Sequence, residues 1–377
     1  MVFHFPPISG GGVVVITELT NALAQLGNDV TILTPDLEWN GEPYNPDIDP
    51  KIKIIKVEIP SKANLKIAAR RCYPMIKKKG IELGEKENFD FILTIFHPFH
   101  LIPKAAISCG EKLKIPVLIK IDDALYGKSS GLKSIQRKIE KYYNSKTLQK
   151  ASRVLVSNEN IKKIVNEFYK VPSEKMSIVP NGVKLDSFFS RNKELKIIVF
   201  SGAMYFHRGL DILLESAREI SNQIKDVKFL LLGSGPEMKK LEDIVKREKI
   251  SSIIEFKGWI DRNKIPEFLS NASIGIGPLR STEVTKNALP IKVLEYMASS
   301  LPIIAMENTL PDNILKDGEN GFFVKNSFDL SKKIIELLKN DELRLKMSSK
   351  SKEMVSKFDW KNIVELIEND YNKCKII

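Results

Sequence analysis

Cysteine is scarce in this chain of 377 residues, and the three present, Cys72, Cys109 and Cys374, are scattered and odd in number. Such a set supports neither a disulfide framework nor a zinc cluster and points to a reducing compartment. No apolar run reaches the ~18 residues of a membrane-spanning helix. Met1 to Ile8 lacks the basic start and long apolar core of a secretory signal. Beyond a two-fold α/β alternation there are no internal repeats and no low-complexity tracts, so solenoids and disordered tails are set aside.

Acidic residues are in deficit, 47 against 59 Lys and Arg, which leaves a formal charge of +12. Residues 1–180 hold 27 bases against 19 acids and the remainder 32 against 28. The excess gathers in Lys62 to Lys86 and in Lys128 to Lys150, the latter with seven bases and one acid. Apolar and aromatic residues are interleaved in the first of these, including Leu65, Ile67, Tyr73, Met75 and Ile76. Each base near an anionic bilayer contributes up to ~1 kcal/mol, so the segments are either membrane-surface helices or solvated faces of a lysine-rich protein. Neither carries an aromatic RNA-binding motif or a helix-turn-helix signature, and no nucleic-acid partner is expected. The expected location is cytoplasmic, either free or at the inner face of the membrane.

What is present is ordinary for a soluble globular protein, 43% hydrophobic and 28% charged, and long enough for two α/β domains. In the first half, strands are expected at Met1–Phe5, Asp29–Thr34, Ile52–Glu58, Phe91–Ile95, Val117–Ile121, Val154–Ser157 and Met176–Val179, with a helix at Val13–Leu26 after the glycines Gly10, Gly11 and Gly12. The first strand reads as cut short, which suggests a start codon missed upstream or an unusual sheet edge. The second half repeats the pattern with strands at Lys196–Ser201, Lys228–Leu232, Ile253–Lys257, Ile274–Ile276, Pro302–Met306 and Gly321–Val324. The fold class is therefore α/β, with two Rossmann-like, doubly wound parallel-sheet domains.

The stretch Thr285 to Met306 carries the most chemistry. Pro290 suits a first helical position. Ile291, Leu294, Met297 and Ala298 recur at helical spacing, while Lys292 and Glu295 lie three apart on one face. Unpaired N–H groups at the helix start, around Ile291, suit a phosphate, and a carboxylate one turn later can accept from sugar hydroxyls. A nucleotide sugar matches both halves.

The same stretch resembles the P-x-K-x-x-E-Y-M-A-x-G-x-P form of the signature of retaining GT-B glycosyltransferases of family 4. The resemblance extends over nearly the whole chain and implies two domains facing a central cleft. It implies that Glu295 binds the nucleotide ribose. The position of a second glutamate, which usually holds the donor sugar, is Asn287 here. Ser201-Gly-Ala-Met-Tyr-Phe-His-Arg-Gly-Leu210 is similar to the family's G-R-x-x-x-x-K-G loop, with Arg208 at the lysine position and Ala203 replacing the arginine; Lys292 is the candidate second cation on the diphosphate. Gly202 belongs to this loop. Gly233-Ser-Gly-Pro-Glu fails the dinucleotide fingerprint, because Met238 stands where its third glycine would fall, and is similar instead to the family's G-x-G-P turn, with Gly233 and Gly235 beside the nucleotide. Phe256 to Ile260 resembles the loop whose backbone contacts the base, and Trp259 there either stacks or packs.

In the first half, Gly11 and Gly12 correspond to the family's glycine loop facing the diphosphate and acceptor. His97 and His100 end a strand and either contact the acceptor or pack. Asp122 stands where a histidine commonly contacts the donor sugar. Val179-Pro-Asn-Gly-Val183 matches the family's interdomain segment, giving an acceptor-side domain 1–178, a donor-side domain 179–356 and a closing helix 357–377. The expected activity is metal-independent transfer of a sugar from a nucleoside diphosphate, with retention, to a hydroxyl of a glycan or lipid-linked acceptor, with no cofactor. The departures at Asn287, Ala203 and Asp122 leave a non-catalytic scaffold subunit as the alternative.

Overall fold

The computed structural model describes residues 1–123, 132–191, 195–282, 285–286 and 289–375. The chain divides into two compact units, Met1–Gly182 with Trp360–Ile377 and the contiguous Val183–Asp359.

In the first unit the strands are β1 (Thr31–Pro35), β2 (Lys53–Val57), β3 (Ile92–Ile95), β4 (Val117–Ile121), β5 (Arg153–Val156) and β6 (Met176–Ile178). Between and before them run α1 (Gly11–Gln25), α2 (Leu65–Arg71), α3 (Tyr73–Gly84), α4 (Ile102–Leu113), α5 (Leu132–Gln149) and α6 (Glu159–Tyr169). All pairings are parallel, but they form two ladders, β1-β2 and β3-β4-β5-β6, rather than one sheet. The segment Met1–Phe5 is extended between them without becoming the expected strand. Val2 N–H donates to Leu33 of β1 at 3.1 Å and the Met1 amino group to Leu93 of β3 at 2.7 Å. One bond to each neighbour is too few for a ladder. β4 is buried at every position, as a strand covered on both faces must be.

The second unit contains β7 (Ile197–Ser201), β8 (Lys228–Leu232), β9 (Ile254–Gly258), β10 (Ile274–Ile276), β11 (Ile303–Met306) and β12 (Gly321–Val324). Its helices are α7 (Leu210–Gln223), α8 (Met238–Arg247), α9 (Ile265–Ser270), α10 (Ile291–Ala298), α11 (Ser327–Lys339) and α12 (Asp341–Val355). The sheet is parallel throughout, in the order β12-β11-β10-β7-β8-β9. Counted from β7, this is the 3-2-1-4-5-6 order of a doubly wound sheet. Alternation along the strands builds two cores. Ile198, Phe200, Phe229 and Leu231 face one helical layer, and Val199, Leu230 and Leu232 face the layer that holds α10.

The final helix, α13 (Trp360–Cys374), returns to the first unit. Its anchor is the buried Asp370, whose Oδ1 accepts from Arg153 Nε at 3.2 Å and Nη2 at 3.0 Å, from Ser177 Oγ at 2.7 Å and from Lys373 Nζ at 3.0 Å. Trp360 Nε1 donates to Glu18 of α1 at 2.6 Å, fixing the other end. Removing one partner of a buried ion pair strands the other charge. Asp370→Asn should therefore lower stability in urea unfolding by about 3 kcal/mol. The change Glu82→Gln, in an exposed pair with Lys79 on α3, should stay within ~0.5 kcal/mol.

Candidate functional site

In a doubly wound sheet, ligands bind beyond the carboxyl ends of the strands, where neighbouring connections leave in opposite directions. In the second unit that point lies between β7 and β10. The loops after these strands meet there, Leu279 N–H donating to the Arg208 carbonyl at 3.0 Å. The turns after β7 and β8 approach backbone to backbone. Gly202 and Gly233 have φ of +125° and +126°, and a Cβ on Gly233 would sit 2.3 Å from the Gly202 oxygen. Met204 N–H donates to Ser234 at 2.9 Å, and a Cβ on Gly235 would lie 2.6 Å from the Met204 oxygen. Glycine is required because a side chain would force these turns apart.

Above this floor lies α10. Pro290 is its N-cap rather than its first residue, so the helix starts at Ile291. Lys292 follows at once and reaches back over β7. Its Nζ would be 2.7 Å from a Cβ on Gly202 and stands 3.8 Å over the ring of Phe200. That cation–π contact is the ammonium's stabilising neighbour, for Nζ is buried and makes no hydrogen bond. Burial and the nearby Arg208 guanidinium hold its pKa well below the lysine range, opposed by Glu295. Arg208 shares the situation: its Nε is buried without a hydrogen-bond partner, and burial lowers its pKa, with Tyr296 and Tyr205 acting the other way. His207 is lowered by burial and then by both cations, which places the imidazole beside them.

Glu295 is 3% exposed, so Lys292 and Glu295 are not a solvated surface pair. Arg262 Nη1 lies 2.7 Å from Glu295 Oε1, an ion pair not aligned as a hydrogen bond. The next residue, Tyr296, is fully buried, and its hydroxyl accepts from Ser201 N–H at 2.7 Å, pinning the end of β7 to α10. In the loop after β9, Trp259 stands 41% exposed and Ile260 packs on the α10 core. The structure thus gathers Gly202, Arg208, Gly233, Gly235, Ile291, Lys292 and Glu295 around one end of one sheet. Asn287 lies outside the described residues.

In the first unit, Gly11 and Gly12 form the opening turn of α1, which starts two residues before the expected Val13; around both a Cβ would meet open space. His97 and His100 stack at 5.5 Å between ring centroids, and His100 also stacks on Phe3 at 5.1 Å. His4 joins them at 6.5 Å. Burial lowers the pKa of all three, that of His4 to about 4, and His100 Nδ1 is buried without a hydrogen bond. Asp122 is paired with the fully buried Lys120, whose Nζ also donates to Asn181 at 2.8 Å.

Sequence reasoning assigned no role to Arg262, Tyr296, Lys120, Asn181 and His4, although Tyr296, Lys120 and Asn181 lie within motifs it read. Tyr296 carried a signal, since a tyrosine on the buried face of a helix needs a partner for its hydroxyl. Arg262 carried none, because its partner lies in a different element.

Two family models match the chain, Glycosyltransferase Family 4 over residues 9–187 and Glycosyl transferases group 1 over residues 184–354. The chain belongs to glycosyltransferase family 4. Among relatives of this glycosyltransferase, an uncharacterized glycosyltransferase of Methanocaldococcus jannaschii is 27% identical over 78% of the chain and 79% of its own length. The alpha-monoglucosyldiacylglycerol synthase of Acholeplasma laidlawii is 20% identical over 93% and 90%. The structure of HepE from Anabaena, in complex with UDP and glucose, shares the fold at a TM-score of 0.74 and 13% identity, covering 99% of this chain and 98% of that one.

The geometry of Lys292 makes it a burden on the fold of this glycosyltransferase. A lysine whose folded-state pKa is lowered binds fewer protons folded than unfolded, so stability rises with pH between the lowered value and the ordinary lysine range. Replacing such a buried charge by an apolar group of similar length is expected to stabilise by about 1–4 kcal/mol. Lys292→Met should raise Tm at neutral pH and flatten that rise, as thermal unfolding across pH would reveal.

Proposed function

We propose that this glycosyltransferase moves a sugar from a nucleoside diphosphate to a hydroxyl acceptor with retention at the anomeric carbon, and that the second unit holds the donor. One observation carries this reading. Arg208 Nε and Lys292 Nζ are both buried and both without a hydrogen-bond acceptor at the switch point of the sheet, with Arg208 lowering the pKa of Lys292 and both lowering that of His207. Buried cations need an anion. A diphosphate supplies one at the place where this sheet order binds ligands. The start of α10 and the glycine turns add N–H groups to the same end of the sheet.

In the proposed step the acceptor oxygen bonds to the anomeric carbon as the bond to the diphosphate breaks, and the acceptor proton passes to the leaving phosphate. Arg208 and Lys292 stabilise the negative charge that develops there. Glu295 receives the ribose hydroxyls, and the resemblance assigns Asn287 to the donor. UDP in the HepE complex makes a uridine nucleotide the first donor to try. A lipid-linked acceptor fits the first unit, where α5 carries the exposed Ile139, Tyr142 and Tyr143 between Lys138 and Lys146, and α2 exposes Ile67. Apolar and basic residues on one exposed surface suit an anionic membrane face. Among the described residues no helix is long and apolar enough to cross a membrane. The relative that synthesises a glucolipid, by its name, supports the same acceptor class.

The scaffold reading has one observation in its favour: the Asp122 carboxylate is engaged by Lys120 instead of being free for a sugar. Kinetics separate the two. Arg208→Ala should lower kcat by roughly 10²-fold or more, Arg208→Lys should recover part of it, and Lys292→Ala should also impair turnover. No transfer by the unaltered protein across a panel of nucleotide sugars would favour the scaffold; transfer unchanged in Arg208→Ala would put the diphosphate elsewhere.

With two cations in the place where a metal could otherwise neutralise the diphosphate, turnover should survive EDTA. Loss of turnover in the chelator, restored by magnesium or manganese, would overturn the metal-independent step.

A further inference from the structure

We infer that Arg262 is a positioning residue for nucleotide recognition, acting through Glu295. The inference rests on the reading of Glu295 as the ribose-binding carboxylate. Glu295 sits in the middle of α10 at 3% exposure, where an unpaired carboxylate would be strongly disfavoured. Lys292, three residues earlier, is near enough to feel its charge but points its ammonium at Phe200 and makes no hydrogen bond. The direct charge contact comes from another element: Arg262 Nη1, 2.7 Å from Oε1.

Arg262 opens a single 3-10 turn, Arg262–Lys264, between β9 and α9. Asp261 caps that turn by accepting from Asn263 N–H at 3.0 Å, and Ile265 and Leu269 of α9 bury themselves in the core that holds Val293, Leu294 and Met297 of α10. The guanidinium is therefore delivered from a fixed turn and not from a loose loop. It is 22% exposed, against 4% for the Glu295 side chain, so the pair lies at the edge of the core with the carboxylate inward. The guanidinium holds the carboxylate by charge without a hydrogen bond to Oε1, which leaves the carboxylate's acceptor capacity to a ribose. The same turn follows Trp259 and Ile260, so the ion pair joins the loop proposed to contact the base to the carboxylate proposed to contact the sugar. Base and ribose recognition are then set by one rigid connection.

The test measures binding of UDP, GDP and ADP, each against its 2′,3′-dideoxy counterpart, by calorimetry. The unaltered protein should prefer the ribonucleotide it binds best by at least about tenfold, the effect of losing a hydrogen bond to a charged acceptor. Glu295→Gln should remove most of that preference. Arg262→Gln should reduce it by about fivefold or more, Arg262→Lys should recover part of it, and Arg262→Gln added to Glu295→Gln should change the preference no further. Circular dichroism and Tm of each variant separate misfolding from lost recognition, because a merely structural role lowers affinity for ribo and dideoxy forms alike. A preference lost in Glu295→Gln but kept in Arg262→Gln would overturn the role of Arg262 and leave the ribose reading intact. Absence of any ribose preference in the unaltered protein, or its persistence in Glu295→Gln, would overturn the ribose reading and the inference with it.

Discussion

A parallel strand cannot follow its neighbour through a tight turn, and most of what this protein does at its candidate site follows from that. Each strand of the second unit needs a crossover through a helix, so every loop that leaves a strand's carboxyl end emerges on the same edge of the sheet. Where the winding reverses, between β7 and β10, the two sets of crossovers part. The turns after β7 and β8 are pressed together backbone to backbone at Gly202 and Gly233. Tyr296 then ties the last residue of β7 to α10 through a single hydrogen bond. The cations and the carboxylate are thus carried on elements whose positions the sheet already fixes.

Within this frame the electrostatics oppose the stability of the fold. Burial and the Arg208 guanidinium lower the pKa of Lys292, and Phe200 offers the ammonium only a ring face. Asp370 in the first unit shows the contrasting arrangement, a buried carboxylate with four donors gathered on one oxygen. Two buried polar sites in one chain, one saturated and one left open, separate a structural role from a binding role more clearly than burial alone.

Much of this was legible beforehand because period and punctuation are local. Alternating β-branched and aliphatic residues, or a glycine after a strand, announce themselves, and apart from Met1–Phe5 every expected strand formed within two residues of its reading. Met1–Phe5 has strand-like composition, but each of its neighbours grants it one hydrogen bond, a fact about the ladders and not about its residues. Around the site, Lys292 and Glu295 were legible as a pair three apart on one helix, and Arg208 through the resemblance of its loop to the family's, each within a single segment. Arg262 was not, since its meeting with Glu295 depends on how α9 packs against α10. His4 was missed for the same reason: it meets His97 and His100 only because the first residues run beside β1 and β3.

The return of α13 to the first unit has a consequence for the order in which the chain acquires its structure. Val183–Asp359 is continuous, so it holds all of its own core partners by the time residue 359 has been synthesised. The first unit, although made earlier, lacks the carboxylate that answers Arg153 and the indole that answers Glu18 until Trp360–Cys374 has followed. On the ribosome, the later unit is therefore the first that can close completely, and the earlier one waits for Trp360–Cys374 before Asp370 can join Arg153 and Ser177.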